Sequence, residues 1–165
     1  MAVTLAYVQI ALAYLAALTL NAFFALGEEI GWRGYLYHLL GFKPKILTII
    51  VIGLFWGLWH ASAIIILGHN YQFNRIVGVV LFTMLTTLFT YPQLLVTNMA
   101  GGNVLPAASF HGAINAIWAL TMIATRLPGE DREILLGLGL MGIISWIIAN
   151  ILFHVLIGRV IFSKP

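Results

Sequence analysis

The chain contains no cysteine, which excludes a disulfide framework, a thiolate metal site and a cysteine nucleophile. It is also poor in charge. Of its 165 residues, 8% are Asp, Glu, Lys or Arg and 62% are hydrophobic, so its long uncharged runs read as membrane spans rather than as the core of a soluble fold. The net charge of +3 is too small and too evenly spread to form a nucleic-acid surface, and no nucleic-acid partner is expected. Lys and Arg beside the spans suit contact with membrane lipids instead. No internal repeat or low-complexity linker occurs. Residues 1–26 lack the basic n-region and small-residue cleavage site of a removable signal peptide and read as a retained first span. Imidazole ligands or bases must come from five histidines.

A helix of about 20 residues covers roughly 30 Å of hydrocarbon. Five such spans are predicted: Val3 to Leu26, Ile46 to Leu67, Ile76 to Val96, Val104 to Thr125 and Ile134 to Ile157. The expected fold is an all-α, polytopic transmembrane bundle in a single domain over 1–165, multi-pass and integral to the membrane. Lys43-Pro44-Lys45 marks an interfacial turn, and Gly68-His69-Asn70 closes the second span. Pro92 should kink the third unless it lies near its end, and Pro106 sits in the first turn of the fourth. Lys43, Lys45, Arg159 and Lys164 balance Arg75, Arg126 and Arg132 too evenly to fix the orientation.

Against this background Glu28 and Glu29 stand out. An ionised carboxylate within a span costs about 2.5 to 3.5 kcal/mol on insertion scales, and function is the expected reason to carry it. Glu29 and Arg33 are spaced i, i+4, acid first, and can neutralise each other on one helix face. Glu28 points about 100° away from Glu29 and finds Gly31 and Trp32 where a local cation would have to stand, so its partner must come from elsewhere. Trp56-Gly57-Leu58-Trp59-His60 places an imidazole near the middle of the second span, and His111 and Asn115 share a face of the fourth. Three helices thus present polar clusters at membrane depth, and burying them together satisfies all three.

Packing explanations exist for each residue. Glu29 and Arg33 read as a buried structural clamp. A lone intramembrane His is often an interhelical hydrogen-bonder worth about 0.6 to 2 kcal/mol; it is the conjunction of His60 and His111 with an unpaired Glu28 that argues for chemistry. Trp56 and Trp59 read as packing or pocket wall, Gly57 and Gly112 as points of close helix approach, and His38 and His69 as solvated end residues. Asn150 and His154, again i, i+4, read as structural or rim residues of the fifth span.

Glu-Glu-x-x-x-Arg at 28–33, aromatic-x-x-x-His at 56–60 and His-x-x-x-Asn at 111–115, in that order on successive apolar helices, resemble the motif set of the CPBP family of intramembrane proteases. That family includes the type II CAAX prenyl endopeptidases and the Abi proteins. Arg33-Gly34-Tyr35-Leu36 and Leu58-Trp59-His60 are similar to it as well, and the resemblance covers a core from about Glu28 to Asn115. Trp56 stands where the family usually has Phe, and members usually carry more N-terminal helices. The resemblance implies a peptide hydrolase acting on a membrane-associated peptide or a prenylated protein. Glu28 would be the general base on a water that His60 holds and polarises, and His111 and Asn115 would stabilise the oxyanion. Glu29, Arg33 and Trp56 would support them from behind. Glu28, His60 and His111 would also supply the His2Glu ligand set of a catalytic zinc with an open fourth position. The family is equally described as using a metal-free glutamate, so the sequence leaves zinc open.

Two readings compete with an enzyme. The same polar cluster could be only a helix clamp in a non-catalytic immunity or scaffold protein. Histidines on different helices, His60, His111 and His154, could instead ligate haem.

Overall fold

A computed structural model describes residues 2–41, 46–123 and 125–158, which form helices joined by short turns with no strand among them. The helices are α1 (residues 2–39), α2 (Ile46–Leu67), α3 (Arg75–Met99), α4 (Leu105–Ile123), a short α5 (Gly129–Leu135) and α6 (Leu140–Phe153), which ends in a π-turn over His154–Gly158. Four stretches are long and apolar enough to cross a membrane: Tyr7–Leu39, Ile46–Leu67, Arg75–Met99 and Gly129–Ile157. With α4, whose Ser109, His111 and Asn115 dilute its hydropathy, they make the expected all-α bundle of about five spans. The Lys43-Pro44-Lys45 turn, Arg159 and Lys164 lie outside the described residues.

The first helix departs from expectation. It does not stop at Leu26 but continues to Leu39, so the glutamate pair lies inside it. Gly27 and Gly31 do not break it, and it ends at Gly41 with φ 86°, the left-handed turn that glycine favours. Its inward residues recur every four positions: Ala17, Ala25, Glu29, Arg33 and Tyr37 are buried and Asn21 is half-buried. In a regular α-helix a four-residue step drifts about 40° around the axis, and five steps would carry the stripe to the far side. Wider π-turns at Ala17–Asn21 and Ile30–Leu36 take more residues per turn and bring the stripe back into line.

α3 is the central helix, packed against α2, α4, α5 and α6. Its contact with α2 is close because Gly53 and Gly57 lie on the shared face: an added Cβ would stand 2.3 Å from Thr87 Cα and 2.5 Å from Thr83 Cα, respectively. Two small residues four apart are a familiar solution where lipid supplies no hydrophobic drive between helices. The Thr86 hydroxyl also donates to the Gly53 carbonyl at 2.9 Å. Gly112 does the same for α4 against α1, with an added Cβ only 2.6 Å from Ala17 O and Ala22 N. The core between these helices is built on Trp56, Ile64, Leu85 and Phe89, with Tyr71 and Leu138 from the turns.

Pro92 lies buried inside α3. Proline has no N–H, so the carbonyl four residues earlier, that of Leu88, loses its helical donor. The Asn150 carboxamide of α6 donates to that carbonyl at 2.9 Å, which gives Asn150 the structural role expected of it.

The fifth predicted span is interrupted. Residues 136–139 form a turn between α5 and α6 rather than helix. Gly139 and Gly142 are packed so closely on the preceding backbone that an added Cβ would fall 2.0 Å from Ile134 O and 1.9 Å from Gly137 O. Leu138 in that turn is driven into the core, and its carbonyl accepts the Tyr71 hydroxyl at 2.6 Å. Burial, with the nearby Glu133 carboxylate, pushes the Tyr71 phenol well above its usual range, so it stays a neutral donor.

The α2–α3 contact yields a direct expectation. Gly53→Val should lower the melting temperature in detergent, with a loss of at least about 1 to 3 kcal/mol from overpacking. Gly27→Ala, whose Cβ would meet nothing within 4 Å, should leave it unchanged.

Candidate active site

The polar residues of α1 converge on one carboxylate oxygen. Glu29, fully buried, accepts at Oε1 from Arg33 Nη1 at 3.2 Å, from Gln93 Nε2 at 3.2 Å and from His111 Nδ1 at 2.8 Å. Arg33, also fully buried, donates through Nη2 to Thr90 Oγ1 at 3.3 Å and to Gln93 Oε1. Its guanidinium carbon lies 4.2 Å from the Trp56 ring centroid, a cation–π contact out of water. Glu29 Oε2 and Arg33 Nε are buried without a hydrogen-bond partner among the described residues. The clamp expected of Glu29 and Arg33 is therefore wider than the pair, for it ties α1 to α3 and α4.

Glu28 faces elsewhere. It is half-buried, and its Oε2 accepts from Trp56 Nε1 at 2.7 Å; its Oε1 has no hydrogen bond among the described residues. The missing partner of Glu28 is thus an indole N–H from α2. Trp56 does more than pack: one ring face takes Arg33, its edge meets His111 with centroids 5.2 Å apart, and its N–H orients Glu28.

His60 sits where α2 changes geometry. The helix tightens into a turn at this residue before resuming, and His60 N–H bonds back to Gly57 O, three residues earlier, at 3.1 Å. Its ring Nδ1 lies 3.0 Å from Trp56 O. A carbonyl oxygen only accepts, so Nδ1 carries the proton and Nε2 is left with a lone pair in the neutral ring. The same reasoning places a proton on His111 Nδ1, which faces a carboxylate oxygen.

Glu28, Trp56, His60, His111 and Asn115 line one cavity of about 320 Å³. Asn115 is exposed there and makes no side-chain hydrogen bond among the described residues, so its carboxamide is free for a ligand. His154 is elsewhere, at the end of α6 beside the Tyr91 hydroxyl of α3 at 3.0 Å. It does not join His60 and His111, as a haem site using all three would require.

The model of the family described as type II CAAX prenyl endopeptidase Rce1-like matches residues 9–117. The chain belongs to the Rce1-like family. No curated protein and no solved structure matches it. The Rce1-like match spans all three motifs and is a match to intramembrane proteases of the CAAX type; together with the four apolar stretches it makes the chain an integral membrane protein.

Among the described residues of this Rce1-like chain, no three His, Asp or Glu side chains stand close enough to hold a metal ion. The Glu28, His60 and His111 set that the sequence leaves open for zinc is therefore not brought together in this arrangement.

Two groups of residues escaped the sequence reading. Thr86, Thr90, Gln93 and Thr97 form a buried polar stripe on α3, at the i, i+4, i+7, i+11 spacing that marks one helix face; that periodicity could have disclosed it. His69, expected to be a solvated end residue, is exposed but lines the cavity, with its ring stacked on His60 at 6.2 Å.

Removing one member of a buried ion pair strands the other. Arg33→Ala should therefore cost about 3 to 5 kcal/mol of stability, whereas Gln93→Ala should cost about 1 to 3 kcal/mol. Thermal melting of the detergent-solubilised variants measures the order; equal melting temperatures for Arg33→Ala and the parent protein would remove the clamp.

Proposed function

We propose that this protein hydrolyses a peptide bond of a membrane-associated or prenylated substrate, with Glu28 as the general base. The observation that carries this reading is that Glu28, whose Oε1 has no hydrogen bond among the described residues, lines the cavity that also holds His60, His111 and Asn115. Of the two adjacent glutamates, Glu29 is fully buried, and its Oε1 is taken by Arg33, Gln93 and His111. Glu28 is left for chemistry.

In the proposed reaction, a water hydrogen-bonded to Glu28 Oε1 and His60 Nε2 gives its proton to Glu28. Its oxygen forms the new bond to the scissile carbonyl carbon. The carbonyl π electrons move to oxygen, where the Asn115 amide N–H and His111 Nε2 donate to the oxyanion. Donation from His111 Nε2 requires both ring nitrogens to carry a proton, because Nδ1–H is committed to Glu29. Collapse of the tetrahedral intermediate breaks the C–N bond, and the departing amine takes the proton from Glu28. Donors held in place before the reaction act without reorganisation, which is where such sites gain most of their rate. Trp56 contributes by fixing the carboxylate through Oε2, so that Oε1 is the atom presented to water. A phenylalanine at this position would pack but could not donate.

Glu28→Gln is expected to leave the melting temperature near that of the parent and to lower hydrolysis of a prenylated peptide by about 10² to 10⁴-fold; full activity in that variant would refute the assignment. Asn115→Ala should lower kcat by about 10² to 10³-fold with KM little changed, since an oxyanion donor acts in the transition state. A change confined to KM would instead place Asn115 in substrate binding.

A further inference from the structure

The cavity has a second polar wall outside the three motifs. The turn after α2 carries Asn70 with φ 63°, a left-handed conformation otherwise taken by glycines among the described residues. Asparagine tolerates that region better than most residues, yet it persists only where the surroundings fix it. They do so here. The Arg75 guanidinium donates to the carbonyls of Ile65 and Ile66 at 2.9 and 3.1 Å, closing the end of α2. The buried Glu133 carboxylate accepts the backbone N–H groups of Gln72, Phe73 and Asn74 at 2.6, 3.2 and 3.0 Å, tying the far end of the turn to α5.

The orientation of the Asn70 amide follows from its partner. Trp118 Nε1 lies 3.2 Å from it, and an indole N–H only donates, so the atom facing Trp118 is Oδ1. Nδ2, with two N–H groups, then has no acceptor among the described residues. His69 stands beside it, its ring nearly parallel to that of His60 at 18°. Both residues line the cavity that contains Glu28, His111 and Asn115. The turn lies between the apolar stretches Ile46–Leu67 and Arg75–Met99, where the polar end of a membrane substrate would meet the cavity.

We propose that Asn70, flanked by His69, is a substrate-positioning residue whose Nδ2 donates to a carbonyl or carboxylate oxygen of the bound peptide. The inference rests on the peptide-hydrolase reading above and assigns the polar wall its ligand chemistry. Ionised Glu28 can only accept, so it repels the oxygens of the substrate, and the unoccupied donors of Asn70 give those oxygens their place.

The test uses the full chain in detergent and two fluorescein-labelled, S-farnesylated tetrapeptides, one ending in a carboxylate and one in a carboxamide. Binding is read by fluorescence anisotropy in the Glu28→Gln background, and kcat and KM are read with Glu28 present. Asn70→Asp keeps the shape of the side chain but turns the donor into an acceptor; it should weaken binding and raise KM by about 10- to 100-fold, with kcat held within about threefold. Asn70→Gly, which relieves the left-handed backbone, should raise KM in the same direction by a smaller factor. If the oxygen belongs to the terminal carboxylate, Asn70→Asp and parent bind the carboxamide peptide equally; if it is an internal carbonyl, the loss appears with both peptides. Unchanged binding and KM in both Asn70 variants would overturn the proposal, as would a fall in kcat and melting temperature with KM unmoved, the mark of a merely structural residue. Intact peptide binding without turnover by the Glu28 protein would overturn the hydrolase reading, and the binding arm would still decide the role of Asn70. A parent protein that binds neither peptide would overturn both.

Discussion

The structure depends on the Glu29 carboxylate. One oxygen accepts from Arg33 of its own helix, from Gln93 of α3 and from His111 of α4, so three helices share a single buried acceptor. In an apolar surrounding each of those groups alone would be expensive to bury. Together they pair at Glu29 Oε1, Arg33 Nη1 and Nη2, Gln93 and His111 Nδ1, and that arrangement fixes how α1 lies on α3 and α4. The π-turns of α1 serve the same end, because they hold Ala25, Glu29, Arg33 and Tyr37 on one line where a regular helix would rotate them away.

Glu28 inherits its role from that arrangement. Once Glu29 is turned inward, the neighbouring carboxylate points about 100° away, toward α2, where Trp56 meets it through the indole N–H. Trp56 is therefore the joint between the clamp and the cavity: Arg33 lies over its ring, His111 meets its edge, and Glu28 takes its proton donor. Two chemically identical side chains, adjacent in sequence, are given different surroundings by the partners their helix faces supply, and the proposed reaction uses that difference. Catalytic sites commonly separate like groups in this way.

Much of this was legible in the sequence. The apolar runs marked the bundle, the i, i+4 spacing paired Glu29 with Arg33, and the absence of a cation near Glu28 showed that its partner lay on another helix. What the sequence did not disclose has physical causes. The first span was expected to end at Leu26, but in an apolar setting an unbroken backbone ladder outweighs weak local propensity, and α1 runs on to Leu39. The fifth span looked continuous because its hydropathy is uniform, whereas the break at 136–139 is set by close backbone packing at Gly139 and Gly142. His69 is exposed past the end of a helix, as its position suggests, but only the path of the 68–74 turn, held by Arg75 and Glu133, carries it to the cavity. Gln93 and Thr90 were missed although their spacing on α3 was visible; a threonine-rich face in a membrane helix deserves to be read as a polar stripe.

The central claim is that Glu28 and Glu29 divide chemistry from architecture, and an experimental structure with a farnesylated peptidyl phosphinate, a stable mimic of the tetrahedral intermediate, tests it most directly. The account predicts one phosphinyl oxygen within about 3.2 Å of a Glu28 carboxylate oxygen and the other within that distance of the Asn115 amide nitrogen, with Glu29 still bonded to Arg33, Gln93 and His111. A phosphinate bound at Glu29 with the Arg33 contact broken, or seated away from Glu28 altogether, would contradict it.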